Sequence, residues 1–202
     1  MPATVLVGEM HPGHRARVAH ILRATRVFNE AEVDVALELF DEVYAEGRDR
    51  GTRHESDGEA IAPLSYLVPR SRPSAFLHPD YAFLGAFDAT GELMGYACYG
   101  PTPGTDRTYD LYWIAVDPAA QGTGTGTLLL TEVERRVAAL HARLLIVETS
   151  SRPEYEATRA FYLARAYDEA ARVGSFYAPG DDRVIYTKRV QAAPEGHGVA
   201  AP

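Results

Sequence analysis

Leu111-Tyr112-Trp113-Ile114-Ala115-Val116-Asp117-Pro118-Ala119-Ala120-Gln121-Gly122-Thr123-Gly124-Thr125-Gly126-Thr127-Leu128-Leu129-Leu130 decides how this chain is read. Its first part is rich in β-branched and aromatic residues and stops at Val-Asp-Pro. Its last part opens on three glycines at alternate positions and continues into a leucine run that begins a helical stripe. Strand, glycine turn, helix is the order. Glycines in such a turn let backbone N–H groups approach an anion at the positive end of the helix dipole, which suits a pyrophosphate. The spacing is neither the G-x-G-x-x-G dinucleotide fingerprint nor a P-loop ending in Gly-Lys-Ser/Thr. Taken alone, it leaves an anion cradle and a purely structural turn both open.

Working outward, Thr108 to Val116 is a complete strand, preceded by β-rich runs at Tyr81 to Phe87 and Leu93 to Tyr99. Asp88-Ala89-Thr90-Gly91-Glu92 joins those two runs as a hairpin. After the glycine turn, Thr127 to Ala139 carries Leu128, Leu129, Val133 and Val137 on one helical stripe. Leu144 to Thr149 is a continuous apolar strand, Glu156 to Ala166 is helical, and Arg172 to Tyr177 with Arg183 to Val190 forms a closing strand pair. Upstream, Thr4 to Glu9 is a weak strand, and Val18, Ile21, Leu22 and Thr25 share a helical face. Asn29 with Glu32 three residues on, and Phe28 before them, predicts an N-cap for a helix from Glu30 to Ala45. The expected organisation is one domain over 1–190 with an insertion at 47–79, as a surface decoration or substrate lid, and a frayed tail at 191–202.

Composition narrows the function classes. The chain has 202 residues, 46% hydrophobic and 24% charged, values of a soluble domain that can build a core without staples. Cys98 is the single cysteine, so no internal disulfide forms, and the histidines lack zinc-ligand spacing, so no metal is expected. A net charge of −8 with no long basic run argues against nucleic acid and suits an amine substrate. No segment approaches the roughly 20 apolar residues of a membrane span, and the opening Met-Pro-Ala-Thr-Val lacks a signal-peptide pattern. The expected location is cytoplasmic.

The quoted stretch, with Leu128-Leu129-Leu130 behind it, resembles the acetyl-CoA-binding motif of the GNAT superfamily of N-acetyltransferases, Q/R-x-x-G-x-G/A after a strand ending in Val-Asp-Pro. Ala160-Phe161-Tyr162 followed by Ala166-Tyr167 is similar to the family's second helix motif, F-Y-x-x-x-G-F/Y. The resemblance runs from Tyr81 to Val190 and implies an α/β fold. Its central sheet would be mixed but mostly antiparallel, with six to seven strands, flanked by helices and splayed at the acetyl-CoA site. It implies that the backbone of Ile114, Ala115 and Val116 pairs with the pantetheine arm like an added strand. Gln121, Gly122, Thr123, Gly124, Thr125, Gly126 and Thr127 would hold the pyrophosphate. Tyr155 falls near a position where ribosomal-protein alanine acetyltransferases carry a cofactor-binding Asn. Tyr162 matches the phenol that protonates the leaving thiolate, and Glu148 matches the general base of those same enzymes. Asp110 and Tyr112 are candidates for the acceptor pocket.

The implied activity is direct acetyl transfer from acetyl-CoA, as co-substrate, to a primary amine in a ternary complex. The acceptor would be a small amine or amino acid. A protein N-terminal acetyltransferase and a non-catalytic acyl-CoA-binding module are the alternatives, the first because Ser175-Phe176-Tyr177-Ala178-Pro179 is similar to a strand-turn of such enzymes. Dimers are common in the family, so a homodimer is compatible while oligomeric state stays open. There are departures too. Thr123 stands where many relatives carry Arg, which leaves the phosphates without a side-chain clamp in the loop. Ala166 replaces a helix-ending Gly at a cost of about 1 kcal/mol if a left-handed cap is needed. Structural roles compete at several positions. Tyr162 can be a buried core tyrosine, Glu148 an ion-paired strand end with Arg152 or Arg159, Asp110 and Tyr112 residues facing a neighbouring strand, and Cys98 a small core residue.

Overall fold

The computed structural model describes residues 5–45 and 81–190, so the expected 47–79 insertion and 191–202 tail lie outside the described residues. The strands are β1 (Leu6–Glu9), β2 (Ala82–Phe87), β3 (Leu93–Pro101), β4 (Thr108–Val116), β5 (Leu144–Ser150), β6 (Asp168–Ala178) and β7 (Asp181–Arg189). The helices are α1 (Arg15–Thr25), α2 (Glu30–Ala45), α3 (Thr125–Ala139) and α4 (Glu156–Leu163). They build a seven-stranded sheet in the order β1-β2-β3-β4-β5-β7-β6. Every neighbouring pair is antiparallel except β4 and β5, which the crossover through α3 makes parallel.

Helices cover both faces. α1 and α2 bury Val18, Ile21, Leu22, Val33 and Phe40 against Phe83, Tyr96 and Trp113. On the opposite face Leu129, Leu130 and Val133 of α3, with Tyr162 of α4, pack on Leu84, Leu111, Leu145 and Tyr186. The helix α2 starts where its cap predicts. The Asn29 backbone N–H donates to Glu32 Oε2 at 2.8 Å and the Glu32 N–H returns to Asn29 Oδ1 at 3.0 Å, a reciprocal capping box. The hairpin between β2 and β3 is held by Asp88 Oδ1, which accepts from the N–H groups of Thr90 at 2.8 Å and Glu92 at 3.0 Å.

Two helix ends differ from the periodicity, and both have backbone causes. α3 begins at Thr125 rather than Thr127 because Gly124, at φ 93°, supplies the N-cap conformation. α4 stops at Leu163 rather than Ala166, and Ala166 itself turns left-handed at φ 61°. The Tyr167 N–H then closes on the Tyr162 carbonyl at 3.2 Å, in the manner of a left-handed helix cap, so the position does require what a glycine supplies most cheaply.

The feature that positions the site is a parting of the sheet. β4 and β5 pair from Thr108↔Leu144 to Leu111↔Val147 and then separate. β5 continues with β7 as far as Ser150↔Arg183, and β4 continues with β3 as far as Val116↔Gly95. A β-bulge lies at the fork. Cys98 pairs with Trp113 and Tyr99 with Leu111, which leaves Tyr112 as the extra residue. Bulges bend and over-twist their strand, and here the bend leads Ile114, Ala115 and Val116 away from β5.

Candidate active site at the parted strands

Past the fork, one edge of β4 has no strand beside it among the described residues, and a cavity of about 150 Å³ fills the gap. Ile114, Ala115, Val116 and Gln121 line one wall, Glu148, Thr149, Tyr155, Thr158 and Tyr162 the other, and Thr25, Val27 and Phe28 from the α1–α2 junction close the end. A free strand edge presents unpaired backbone donors and acceptors, so an extended chain with amide groups can add to it as a strand would. The Gln121 side chain caps this edge at its far end, donating from Nε2 to the Val116 carbonyl at 3.2 Å.

The glycine turn sits directly beyond. Asp117 caps the short turn Pro118–Ala120 by accepting the Ala119 N–H at 2.8 Å, and Arg17 of α1 pins the same carboxylate at 2.8 Å. The Thr123 hydroxyl donates to the Ala120 carbonyl at 2.7 Å, which fixes the loop from within. Gly122 and Gly124 have φ values of 75° and 93°, a region that costs other residues about 1–2 kcal/mol, and a Cβ on either would meet no atom within 4 Å. Gly126 differs: a Cβ there would lie in ordinary contact, 3.4 Å from Phe161 and 3.6 Å from Val116, so this position borders the Phe161 ring. No side chain caps α3, and its first hydrogen bond runs from the Leu128 N–H to the Gly124 carbonyl at 3.0 Å. The N–H groups of Thr125, Gly126 and Thr127 therefore have no intrahelical acceptor, the condition for anion binding at a helix start.

Tyr162 is only 2% exposed. It packs among the rings of Phe161, Tyr167 and Tyr186 at 5.3, 5.5 and 6.0 Å between centroids. Burial raises its phenol above the ordinary tyrosine range, so it stays protonated at neutral pH and has a proton to donate. Tyr155 lines the same cavity beneath the Arg152 guanidinium, 5.2 Å from the ring centroid, and burial pushes its phenol up to about 12.

Glu148 faces the cavity, and its Oε1 accepts a hydrogen bond from Arg183 Nη2. The partner is therefore neither Arg152 nor Arg159. Arg152 pairs with Asp181, while Arg159 holds the Ser150 and Arg152 carbonyls at 2.8 and 2.9 Å. Asp110 shares a sheet face with Glu148, because it pairs in register with Ile146, two residues before Glu148. It does not line the cavity. Tyr112 does, and the Asp110 carboxylate lies behind it, accepting from Thr102 Oγ1 at 2.8 Å and from the Tyr112 hydroxyl at 3.5 Å. Burial raises the Asp110 pKa, against the lowering effects of those hydrogen bonds and of the Arg183 charge.

Sequence reasoning missed Arg183 and the Thr25, Val27 and Phe28 wall. Arg183 reaches Glu148 only through the β5–β7 register, and nothing local to either residue signals that pairing. Cys98 is fully buried in the core. Among the described residues no three side chains are grouped to hold a metal ion, and no helix is long and apolar enough to cross a membrane.

A family model for the acetyltransferase (GNAT) family matches residues 38–167. An amino-acid acetyltransferase from Ralstonia nicotianae is 30% identical over 131 residues, which cover 63% of this chain but 26% of that protein. The chain thus spans about a quarter of that curated relative. A solved structure from Desulfovibrio desulfuricans, assigned to the GNAT family, is 34% identical, has a TM-score of 0.72 and covers 93% of this chain and 100% of its own. A Salmonella typhimurium structure holding acetyl-CoA shares the fold, with a TM-score of 0.60 at 15% identity over 95% of this chain and 98% of its own. With a family model spanning most of its length, and a sheet that parts along the strand leading into the glycine turn, the chain belongs to the GNAT family of acetyltransferases.

Proposed function

We propose that the chain transfers acetyl from acetyl-CoA to the primary amine of a small amine or amino acid, by direct attack within a ternary complex. One juxtaposition carries this reading: the free edge of β4 and Tyr162 line one cavity, and that edge leads through Gln121 directly into the uncapped start of α3. The diphosphate rests on the N–H groups of Gly122 to Thr127, and the pantetheine arm lies along Ile114, Ala115 and Val116. The thioester then falls between the strands. The amine attacks the thioester carbonyl, the C–S bond breaks, and the thiolate takes the Tyr162 proton. The amine in turn must lose a proton. Glu148 is the carboxylate at the cavity wall and receives it directly or through a water.

The Glu148–Arg183 pair favours a second route for that proton. Glu148 has a guanidinium already in contact, whereas Asp110 has its proton affinity raised by burial and touches the Tyr112 hydroxyl that lines the cavity. In that route Tyr112 passes the proton to Asp110, and Glu148 attracts the incoming ammonium.

Thiol release from acetyl-CoA, measured across a panel of small amines, amino acids and N-terminal peptides, tests the reading. Release with small amines or amino acids is expected. Release with peptides alone makes the chain a protein N-terminal acetyltransferase. Acetyl-CoA binding without release by any acceptor makes it an acyl-CoA-binding module.

A further inference from the structure

A phosphate-binding loop ordinarily sets a cation beside its backbone donors, since a diphosphate carries charge that neutral N–H groups offset only in part. From Gln121 to Thr127 this loop has no charged side chain. The structure nevertheless brings a guanidinium to its end, at Thr127. Arg165, in the turn after α4, reaches across to α3, and its Nη2 donates to the hydroxyl of Thr127 in the first turn of that helix. It lies 3.7 Å over the Phe161 ring, the same ring that borders Gly126. Loop glycine, phenyl ring, guanidinium and threonine hydroxyl are thus contiguous.

Two features of this arrangement are left over once packing is accounted for. Nη1 donates to the Phe161 carbonyl at 2.8 Å, a reasonable cap for the end of α4, where the helix dipole welcomes a cation. The other nitrogen does the opposite and carries positive charge to the start of α3, the positive end of that dipole. Such placement is unfavourable unless an anion shares the spot. Many other arginines here have a carboxylate partner, as Arg15 has Asp41, Arg17 has Asp117 and Arg183 has Glu148. Among the described residues Arg165 is in no ion pair, and its hydrogen-bond partners are a carbonyl and a hydroxyl, both neutral.

From these contacts we infer that Arg165 is the cationic clamp for the phosphates of the acetyl donor, replacing the side chain that Thr123 does not provide. The inference rests on the acetyl-CoA reading above. Its chemistry is a charge-assisted hydrogen bond to a phosphate oxygen, and two groups on the donor can supply one, the diphosphate and the 3′-phosphate. The role is remote from the thioester, so it concerns donor affinity and leaves bond breaking untouched.

The test compares the parent with Arg165→Met, which keeps the apolar stem over Phe161 and removes the charge, and with Arg165→Lys. Donors are acetyl-CoA, 3′-dephospho-acetyl-CoA and S-acetylpantetheine, which has no phosphate. For Arg165→Met the KM for acetyl-CoA rises about tenfold or more and loses part of its salt dependence, while kcat at saturation stays within twofold. Turnover with S-acetylpantetheine is unchanged, and Arg165→Lys recovers part of the affinity. If the diphosphate is the partner, the dephospho donor shows the same loss; if the 3′-phosphate is, the loss vanishes with that donor. An unchanged KM for acetyl-CoA in Arg165→Met overturns the inference. So does an equal loss with S-acetylpantetheine, which makes Arg165 merely a cap of α4. A parent that neither binds acetyl-CoA nor releases thiol defeats the acetyl-transfer reading itself, a result distinct from both.

Discussion

The two walls of the cavity are built differently. The β4 wall and the glycine turn offer mostly backbone: strand edge, left-handed glycines and helix-start N–H groups, all from the one continuous run Leu111 to Thr127. The opposite wall offers side chains drawn from β5 and α4, where Glu148 and Tyr162 line the cavity and Arg183 of β7 holds Glu148 only because distant strands align. Backbone chemistry is the same whatever the side chains, so the first wall suits a ligand common to a whole family. Side-chain chemistry changes with each substitution, so on the proposed reading the second wall is the one that would tell acceptors apart.

The largest expected effect strikes the backbone wall. At a hundredfold excess over its dissociation constant a ligand adds about 2.7 kcal/mol, which is about 5–10 °C in a domain of this size. Gly124→Val, at φ 93°, should abolish that shift with acetyl-CoA, because the loop cannot hold its shape around a branched side chain. A normal shift in differential scanning fluorimetry would take the glycine turn out of the site.

Next comes Tyr162→Phe, which removes a proton donor and almost no buried carbon. Turnover at saturation should fall about a hundredfold, the low end for a general acid since a thiolate leaves readily, with the melting temperature near the parent value. Turnover within twofold of the parent would make the phenol a core residue and leave the second wall without its acid.

The carboxylates sharpen the comparison through pH. A base must be deprotonated to work, and the raised pKa of Asp110 puts the acidic limb of kcat/KM above the usual aspartate range if Asp110 is that base. Asp110→Asn should then lower kcat/KM about tenfold or more and flatten the limb. If Glu148 is the base, Glu148→Gln does so instead and Asp110→Asn does not. Stability gives an independent check. A carboxyl whose folded pKa lies above its unfolded value binds protons more tightly when folded, so stability falls as pH rises through that range. Asp110→Asn should therefore melt higher than the parent at neutral pH and lose the advantage below the ordinary carboxylate range.

The smallest effect lies outside both walls. Ala166→Gly relieves the left-handed cap after α4 and should stabilise by about 1 kcal/mol, or about 2–4 °C, with kinetics unchanged. Lowered acetyl-CoA affinity in that variant would show that the turn aims Arg165 as well as ending the helix.

Which parts were legible in the sequence follows from the same division. Local patterns sufficed wherever the cause of structure is local. The Asn29–Glu32 capping box, the Asp88 hairpin turn, the full extent of β4 and the glycine turn are all set by residues within a few positions of one another. Helix ends were less legible, because Gly124 and Ala166 act through φ values that periodicity does not register. The bulge at Tyr112, the parting of β4 from β5 and the engagement of Glu148 by Arg183 depend on strand register. Register is set by how two faces pack across tens of residues, and a shift of one would turn each of those side chains to the other face. Arg165 was invisible for a similar reason: its reach to Thr127 exists only once α3 and α4 lie side by side on the sheet. Sequence alone therefore determined the elements and the backbone cradle. The tertiary structure decided which charges face one another, because charges separated along the chain meet only after the sheet has formed.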